Sequence, residues 1–292
     1  MTETTLWTAL VTPMHGDGNI HFKDLETLVR KQEAAGNGIL ILGSTGEGLA
    51  LGDDEKKEVV DFVSDLSPSV PVMVGVGGFN LKKQKEWIAY CNQKNTDAFL
   101  AVAPLYSKPG IKGQIAWFKA LLDESDKPCM IYNIPSRTGM KLSPDVLETL
   151  AGHDNLWAVK EASGNITEYQ QFRAAVPGIP LFSGDDAMLP FFAAAGCGGL
   201  VSVASNVWPE ETGLYVKKCL SGDTRSLFPL WTEAVKVLFS ASNPIPAKCL
   251  LREKGWITSS ALRPPLTERE LSSTQQLLTI DDLIKNWYQK NR

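Results

Sequence analysis

The sequence predicts an α/β protein: a closed (β/α)8 TIM barrel followed by a C-terminal helical extension. Three observations carry this. Eight short β-like runs recur along the first two thirds of the chain, helical patterns separate them, and β signals stop near Pro209.

The β-like runs cover residues 6–12, 38–42, 71–76, 98–103, 129–133, 157–160, 181–183 and 199–203. Strands alternating with helices imply parallel pairing through right-handed crossovers. Between the second and third runs, Asp53-Asp54-Glu55-Lys56 opens a helix, its acidic residues favourable to the helix dipole, ahead of Val59, Val60, Phe62 and Val63. Between the fifth and sixth, Ser143-Pro144-Asp145 reads as a cap residue followed by proline in the first turn. An open doubly wound sheet holding a dinucleotide would place a glycine fingerprint after its first strand. Pro13-Met14-His15-Gly16-Asp17-Gly18 lacks that fingerprint and has no helix start immediately behind it. Eight units in this length match the barrel. Beyond Pro209, the stretch holding Leu214, Val216 and Leu220, then 227–239, 246–251 and 266–287, are helical in pattern, with Pro264-Pro265 as a rigid connector before the last. The expected division is a catalytic barrel over 1–222 and a helical domain over 223–292.

The bulk properties exclude several functions. A chain of 292 residues with 43% hydrophobic and 21% charged residues has the composition of an ordinary globular protein. A net charge of -4 argues against a general nucleic-acid surface, which needs a basic stripe. Cys91, Cys129, Cys197, Cys219 and Cys249 are an odd, scattered set without a CxxC pair, so they read as small core residues of a reducing compartment. With only three histidines, a dedicated zinc site is not expected. The N-terminus shows no signal-peptide pattern, and no apolar stretch approaches the ~20 residues of a membrane span, so a cytoplasmic location is expected.

A barrel of this type holds its active site at the C-terminal strand ends. Those ends present Thr12-Pro13, Gly43-Ser44-Thr45-Gly46-Glu47, Gly77-Gly78, Pro104-Leu105-Tyr106, Tyr132-Asn133-Ile134-Pro135, Lys160-Glu161, Ser183-Gly184-Asp185-Asp186 and Val201-Ser202. Lys160 closes the apolar run Leu156-Trp157-Ala158-Val159. An amine in a poorly solvated pocket has a lowered pKa and attacks carbonyl carbon; the bland reading is a lysine that snorkels from a strand end. An amine, phenols and hydroxyls on one rim are the parts needed to make and break an imine. Each part also has a plain reading. The Gly43–Glu47 loop is either a carboxylate cradle or only a strand-to-helix turn. Tyr132 also reads as a half-buried core aromatic, Tyr106 as an interface residue, Arg137 as a surface charge and Asp185-Asp186 as caps of the following helix.

Taken together, Gly43-Ser44-Thr45-Gly46-Glu47, Tyr132-Asn133-Ile134-Pro135-Ser136-Arg137-Thr138-Gly139, Lys160-Glu161-Ala162-Ser163-Gly164 and Ser183-Gly184-Asp185-Asp186 resemble the dihydrodipicolinate synthase / N-acetylneuraminate lyase family of class I aldolases. The resemblance spans essentially the whole chain, with the motifs in family order. It implies that Lys160 forms a Schiff base with the keto carbon of pyruvate, giving an enamine that attacks an aldehyde. It implies that Tyr132 transfers protons beside the imine, and that Thr45 links Tyr132 to Tyr106, which reaches into a neighbouring subunit's site. Ser44 and Thr45 would bind the pyruvate carboxylate, while Gly184 and Val201 would line the pocket through their backbones. A homodimer or a homotetramer built as a dimer of dimers follows, without metal or organic cofactor.

Arg137 points to one branch of the family. A guanidinium fork suits bidentate capture of the carboxylate of aspartate semialdehyde, and the family's sugar-acid lyases do not usually carry it. The resemblance therefore implies condensation of pyruvate with L-aspartate 4-semialdehyde, in the route to diaminopimelate and lysine. The alternatives are an N-acetylneuraminate lyase, a 2-keto-3-deoxy sugar acid aldolase, or a non-catalytic sensor on the same barrel. Ser44 stands where synthases commonly carry threonine and lyases serine; the hydroxyl is kept. At the positions where lysine-inhibited members hold their effector, this chain has Gly48, Lys56, Gln84 and Leu105, which implies weak or absent lysine feedback.

Overall fold

The structure, a computed structural model, describes residues 4–292; residues 1–3, which belong to the expected 1–222 segment and to the N-terminus on which the signal-peptide expectation rests, lie outside the described residues. Eight parallel strands close into a barrel in sequence order. They are β1 (Leu6–Ala9), β2 (Gly38–Ile41), β3 (Val72–Val76), β4 (Ala98–Val102), β5 (Cys129–Asn133), β6 (Leu156–Glu161), β7 (Leu181–Ser183) and β8 (Gly199–Ser202). Every expected strand is present. Most differences are at the rim, where apolar runs continue after the ladder ends: the 6–12 run stops at Ala9, although the Leu10 N–H still donates to the Leu40 carbonyl (2.8 Å). β6 instead runs longer than expected, through Glu161.

Strand alternation sorts the side chains into two apolar layers. Trp7, Leu40, Met73, Leu100, Met130, Tyr132, Ala158, Phe182 and Val201 pack inside the barrel. Their neighbours, such as Ile39, Val74, Phe99, Ile131 and Val159, face outward onto the helices. Lys160 is two residues beyond Ala158 and so shares the inward face.

The helices follow from the same patterning. α1 (Phe22–Ala35) starts after a short excursion in which Met14 and Ile20 form an antiparallel bridge. α2 (Asp53–Leu66) begins where the acidic run begins, and the Glu55 carboxylate reaches back to accept from the Gly52 N–H at 2.8 Å. α3 (Leu81–Asn92) and α4 (Ile111–Glu124) cover β3 and β4. α5 (Pro135–Thr138) is a single turn on the rim that carries Arg137. α6 (Pro144–Leu150) opens with Ser143 then Pro144, but the Ser143 side chain makes no capping hydrogen bond; its backbone N–H goes to the Gln114 amide oxygen instead (3.4 Å). α7 (Ile166–Ala175), α8 (Leu189–Ala194) and α9 (Pro209–Leu220) complete the outer ring.

Segment 223–292 folds as α10 (Leu230–Leu238), α11 (Ile245–Glu253) and α12 (Gln275–Asn291). The last helix starts later than the expected 266. A 3-10 turn (Glu268–Glu270) and the hydroxyl-rich Ser272-Ser273-Thr274 intervene, with Ser273 Oγ accepting from the Gln275 N–H at 3.1 Å. These helices join the barrel through aromatic packing. Trp231 stacks on Tyr215 of α9 at 4.2 Å and meets Trp287 of α12 edge-on at 5.3 Å. Truncating so buried a tryptophan costs about 3–5 kcal/mol. All five cysteines are buried thiols, and no helix among the described residues is long and apolar enough to cross a membrane.

Candidate active site

β5 and β6 set the centre of the site. Tyr132 and Lys160 are register partners, and the Lys160 Nζ lies 4.0 Å from the centroid of the Tyr132 ring. Lys160 is only 5% exposed. Burial pushes its ammonium down to about 7, opposed by the Asp186 carboxylate and aided by the Arg137 guanidinium. An amine with that pKa is substantially neutral near physiological pH, as a carbonyl nucleophile must be. Burial also holds the Tyr132 phenol well above its usual range, against the lowering effect of Arg137. The phenol is therefore held protonated beside the amine.

The next pair along the two strands faces the other way and locks the register. The Asn133 amide donates to Glu161 at 2.7 Å, and the Ser163 N–H donates to the same carboxylate at 2.6 Å. Asn133 in turn accepts from the Leu142 N–H at 3.0 Å. Burial raises the Glu161 carboxyl, while Ser163 and Asn133 pull it back. Gly184, just past β7, leaves the lysine its room: a Cβ there would sit 2.6 Å from Lys160 Cε. Val201 is buried on β8 inside the barrel, with Tyr132 in the same cluster.

The loop after β2 carries Ser44 and Thr45. Leu42 (φ 57°) and Glu47 (φ 54°) bracket it in the left-handed region. The Thr12 hydroxyl donates to the Gly46 carbonyl at 2.6 Å, and the Gly48 N–H donates to the Gly43 carbonyl at 3.1 Å. A Cβ at Gly48 would lie 2.2 Å from the Leu42 carbonyl oxygen, so the loop closes only with glycine there. Ser44 is exposed and Thr45 is 2% exposed. Thr45 Oγ1 accepts from Asn243 Nδ2 at 2.9 Å.

The expected rim residues are thus not all in mutual contact within one chain. Lys160, Tyr132, Gly184 and Val201 converge in the barrel mouth. Thr45 is engaged by Asn243. Arg137, exposed on α5, donates to the Asn243 carbonyl at 3.5 Å while its charge acts on both Lys160 and Tyr132. Tyr106 is 88% exposed and left-handed (φ 65°), standing out from the rim.

Three participants escape sequence reasoning. Asn243 touches Thr45 and Arg137 at once, from 198 and 106 residues away, and only the asparagine-proline pair Asn243-Pro244 marks the spot. The reading of Asp185-Asp186 as caps of the next helix holds for neither residue in full. Asp185 accepts from the Ala187 N–H at 2.9 Å in the turn before α8, whose own N-cap is Met188. Asp186 turns inward, accepts from Ser202 Oγ and the Val203 N–H, and is pushed up to about 6 by burial. An acidic doublet after a strand gives no sign of which carboxylate is buried. The third is Lys248, which pairs with Glu47 from α11; a lysine in an apolar helical pattern reads as solvent-facing, yet this one is fully buried.

Comparison with known proteins agrees with this fold. The sequence model of the Dihydrodipicolinate synthetase family matches residues 3–284. A 4-hydroxy-tetrahydrodipicolinate synthase of Francisella philomiragia subsp. philomiragia is 50% identical over 284 residues, covering 97% of this chain and 96% of the relative. The structure of the 4-hydroxy-tetrahydrodipicolinate synthase from the methanotroph Methylacidiphilum fumariolicum SolV superposes with a TM-score of 0.92 at 29% identity, over 98% of this chain and 97% of that one. A monomeric dihydrodipicolinate synthase variant superposes with a TM-score of 0.91 at 27% identity, over 97% of both chains. The chain belongs to the dihydrodipicolinate synthetase family.

Proposed function

We infer that this chain condenses pyruvate with L-aspartate 4-semialdehyde, the reaction of the 4-hydroxy-tetrahydrodipicolinate synthases it resembles, and that Lys160 is the nucleophile. The chain is a lyase of that class. The observation that carries the residue assignment is the buried Lys160 amine, with a pKa near 7, against the Tyr132 ring.

In this reading the neutral Lys160 amine adds to the keto carbon of pyruvate, and loss of water leaves a protonated imine. The imine makes the pyruvate methyl acidic; its proton leaves and an enamine forms. The enamine carbon then bonds to the aldehyde carbon of the semialdehyde, whose oxygen takes up a proton, restoring the imine; the semialdehyde's own amino group adds to the imine carbon and closes the ring, and the C–N bond to Lys160 breaks to free the amine. Tyr132, protonated and adjacent, passes the protons. Ser44 and Thr45 hold the pyruvate carboxylate with hydroxyls and backbone N–H groups, Gly184 and Val201 line the pocket, and Arg137 captures the second carboxylate. Catalysis belongs to the 1–222 barrel, while the helical 223–292 segment buttresses the rim through Asn243 and Lys248.

A dimer completes the proposal. Leu49, Phe79 and Tyr106 are all largely exposed. Their loops adjoin: the Leu105 N–H donates to the Gly78 carbonyl, and Gly77 packs near Leu49. Such an apolar patch beside the site suits a second copy of the chain, with Tyr106 crossing to its partner's Thr45. Pairing two such dimers gives the tetramer. Lysine feedback is weak or absent in this reading, which rests on Gly48, Lys56, Gln84 and Leu105 together; half inhibition at sub-millimolar lysine contradicts it.

Arg137→Ala tests the substrate assignment. Loss of a charged hydrogen bond to the semialdehyde carboxylate should lower kcat/KM about 10- to 100-fold with that substrate, with little change for uncharged aldehydes. An equal loss with both, or turnover of sugar acids in preference to the semialdehyde, returns the protein to the sugar-acid branch.

A further inference from the structure

The ion pair between Glu47 and Lys248 has no role in the chemistry above, yet it is the most deeply buried one in the described chain: the Lys248 side chain is 0% and the Glu47 side chain 2% exposed. Its polar atoms are well supplied. One Glu47 oxygen takes the Lys248 ammonium and the other the Arg263 N–H at 2.8 Å. The ammonium also donates to the Ala261 carbonyl at 2.9 Å.

Dehydrating two charges offsets most of their attraction, and apolar replacements of similar volume are often as stable. Stability therefore does not account for the pair. Direction does. Glu47 is a non-glycine residue at φ 54°, with Leu42 at φ 57° on the other side of Ser44 and Thr45. Such a residue is strained and persists only where its surroundings hold it. The barrel supplies one hold, Thr12 on the Gly46 carbonyl. The other holds come from the C-terminal segment: Asn243 on the Thr45 hydroxyl and, five residues later, Lys248 on Glu47.

We propose that the Glu47–Lys248 pair is a positioning device through which α11 of the helical segment aims the Ser44–Thr45 loop at the pyruvate carboxylate. Both are positioning residues, and the proposal rests on the reading that this loop binds pyruvate. It makes the C-terminal helices part of first-substrate binding rather than a passive brace.

The test compares the wild type, Glu47→Gln and the double variant Glu47→Leu/Lys248→Met by calorimetry, by borohydride trapping over a range of pyruvate concentrations, and by semialdehyde KM. The double variant should melt within a few degrees of wild type yet need about tenfold more pyruvate for half-maximal trapping, as a loosened loop does, with semialdehyde KM changed less than about twofold. Glu47→Gln keeps one acceptor oxygen for the Lys248 ammonium and turns its NH2 toward the Arg263 N–H, so its pyruvate requirement should fall between those of the wild type and the double variant. A double variant with native pyruvate saturation, one that raises both constants equally, or one that does not fold overturns the proposal. Wild-type protein that traps no pyruvate overturns the proposed function instead.

Discussion

Lys160 Nζ lies 4.0 Å from the centre of the Tyr132 ring, across the β5–β6 ladder on which the two residues are register partners. The separation is set by backbone pairing and not by loops, and the Asn133–Glu161 hydrogen bond one residue further on fixes that pairing. A buried amine and a phenol are thus placed by the most rigid part of the fold.

This burial gives a pH dependence with a definite sign. Lys160 is lowered to about 7, so it is protonated and inert below that value and neutral above it. Initial rates of pyruvate trapping at subsaturating substrate should rise with pH through about 7 and then level. A rise that continues through the ordinary lysine range, about 10.4, contradicts the assigned environment.

Tyr132→Phe keeps the buried ring and removes the hydroxyl. Turnover should fall by about 10²- to 10⁴-fold, the usual worth of a general acid–base group. Calorimetry should find the fold retained, and slow adduct formation on Lys160 should persist. Near-native turnover excludes the phenol from proton transfer.

Gly184→Ala inserts a methyl 2.6 Å from Lys160 Cε. The lysine must swing aside, and a displacement approaching 1 Å costs about 10²-fold in kcat/KM. Trapping should slow in proportion. Unchanged trapping rates show that the lysine stem has room to spare.

The exposed patch of Leu49, Phe79 and Tyr106 predicts self-association. Sedimentation velocity should find a dimer or larger, and Leu49→Asp should shift it toward monomer while lowering turnover. A wild-type monomer with full activity removes the crossing role of Tyr106.

The barrel and its order were legible because period-two apolar runs are a local signal: residues 129–133 and 181–183 are strands with the expected bounds. Lys160, Tyr132 and Gly184 converge because each stands at or just past a strand end, which topology alone brings together. What was hidden depends on long-range contacts. Asn243 and Lys248 meet Thr45 and Glu47 from a different segment, and apart from the Asn243-Pro244 pair nothing in the neighbouring residues marks it. Asp186 differs from Asp185 only in which side of a turn it faces, a property of three-dimensional placement. α12 starts later than its apolar spacing predicts because that spacing continues through a hydroxyl-rich stretch in which the Ser273 hydroxyl, instead of a helical carbonyl, takes the Gln275 N–H.

The most direct measurement is intact-mass analysis after borohydride reduction with pyruvate, for the wild type and for Lys160→Ala. The account predicts one reduced pyruvate per wild-type chain, mapped to the peptide containing Lys160, and none on the variant. An adduct that survives in Lys160→Ala, or a wild-type chain that carries none, contradicts it.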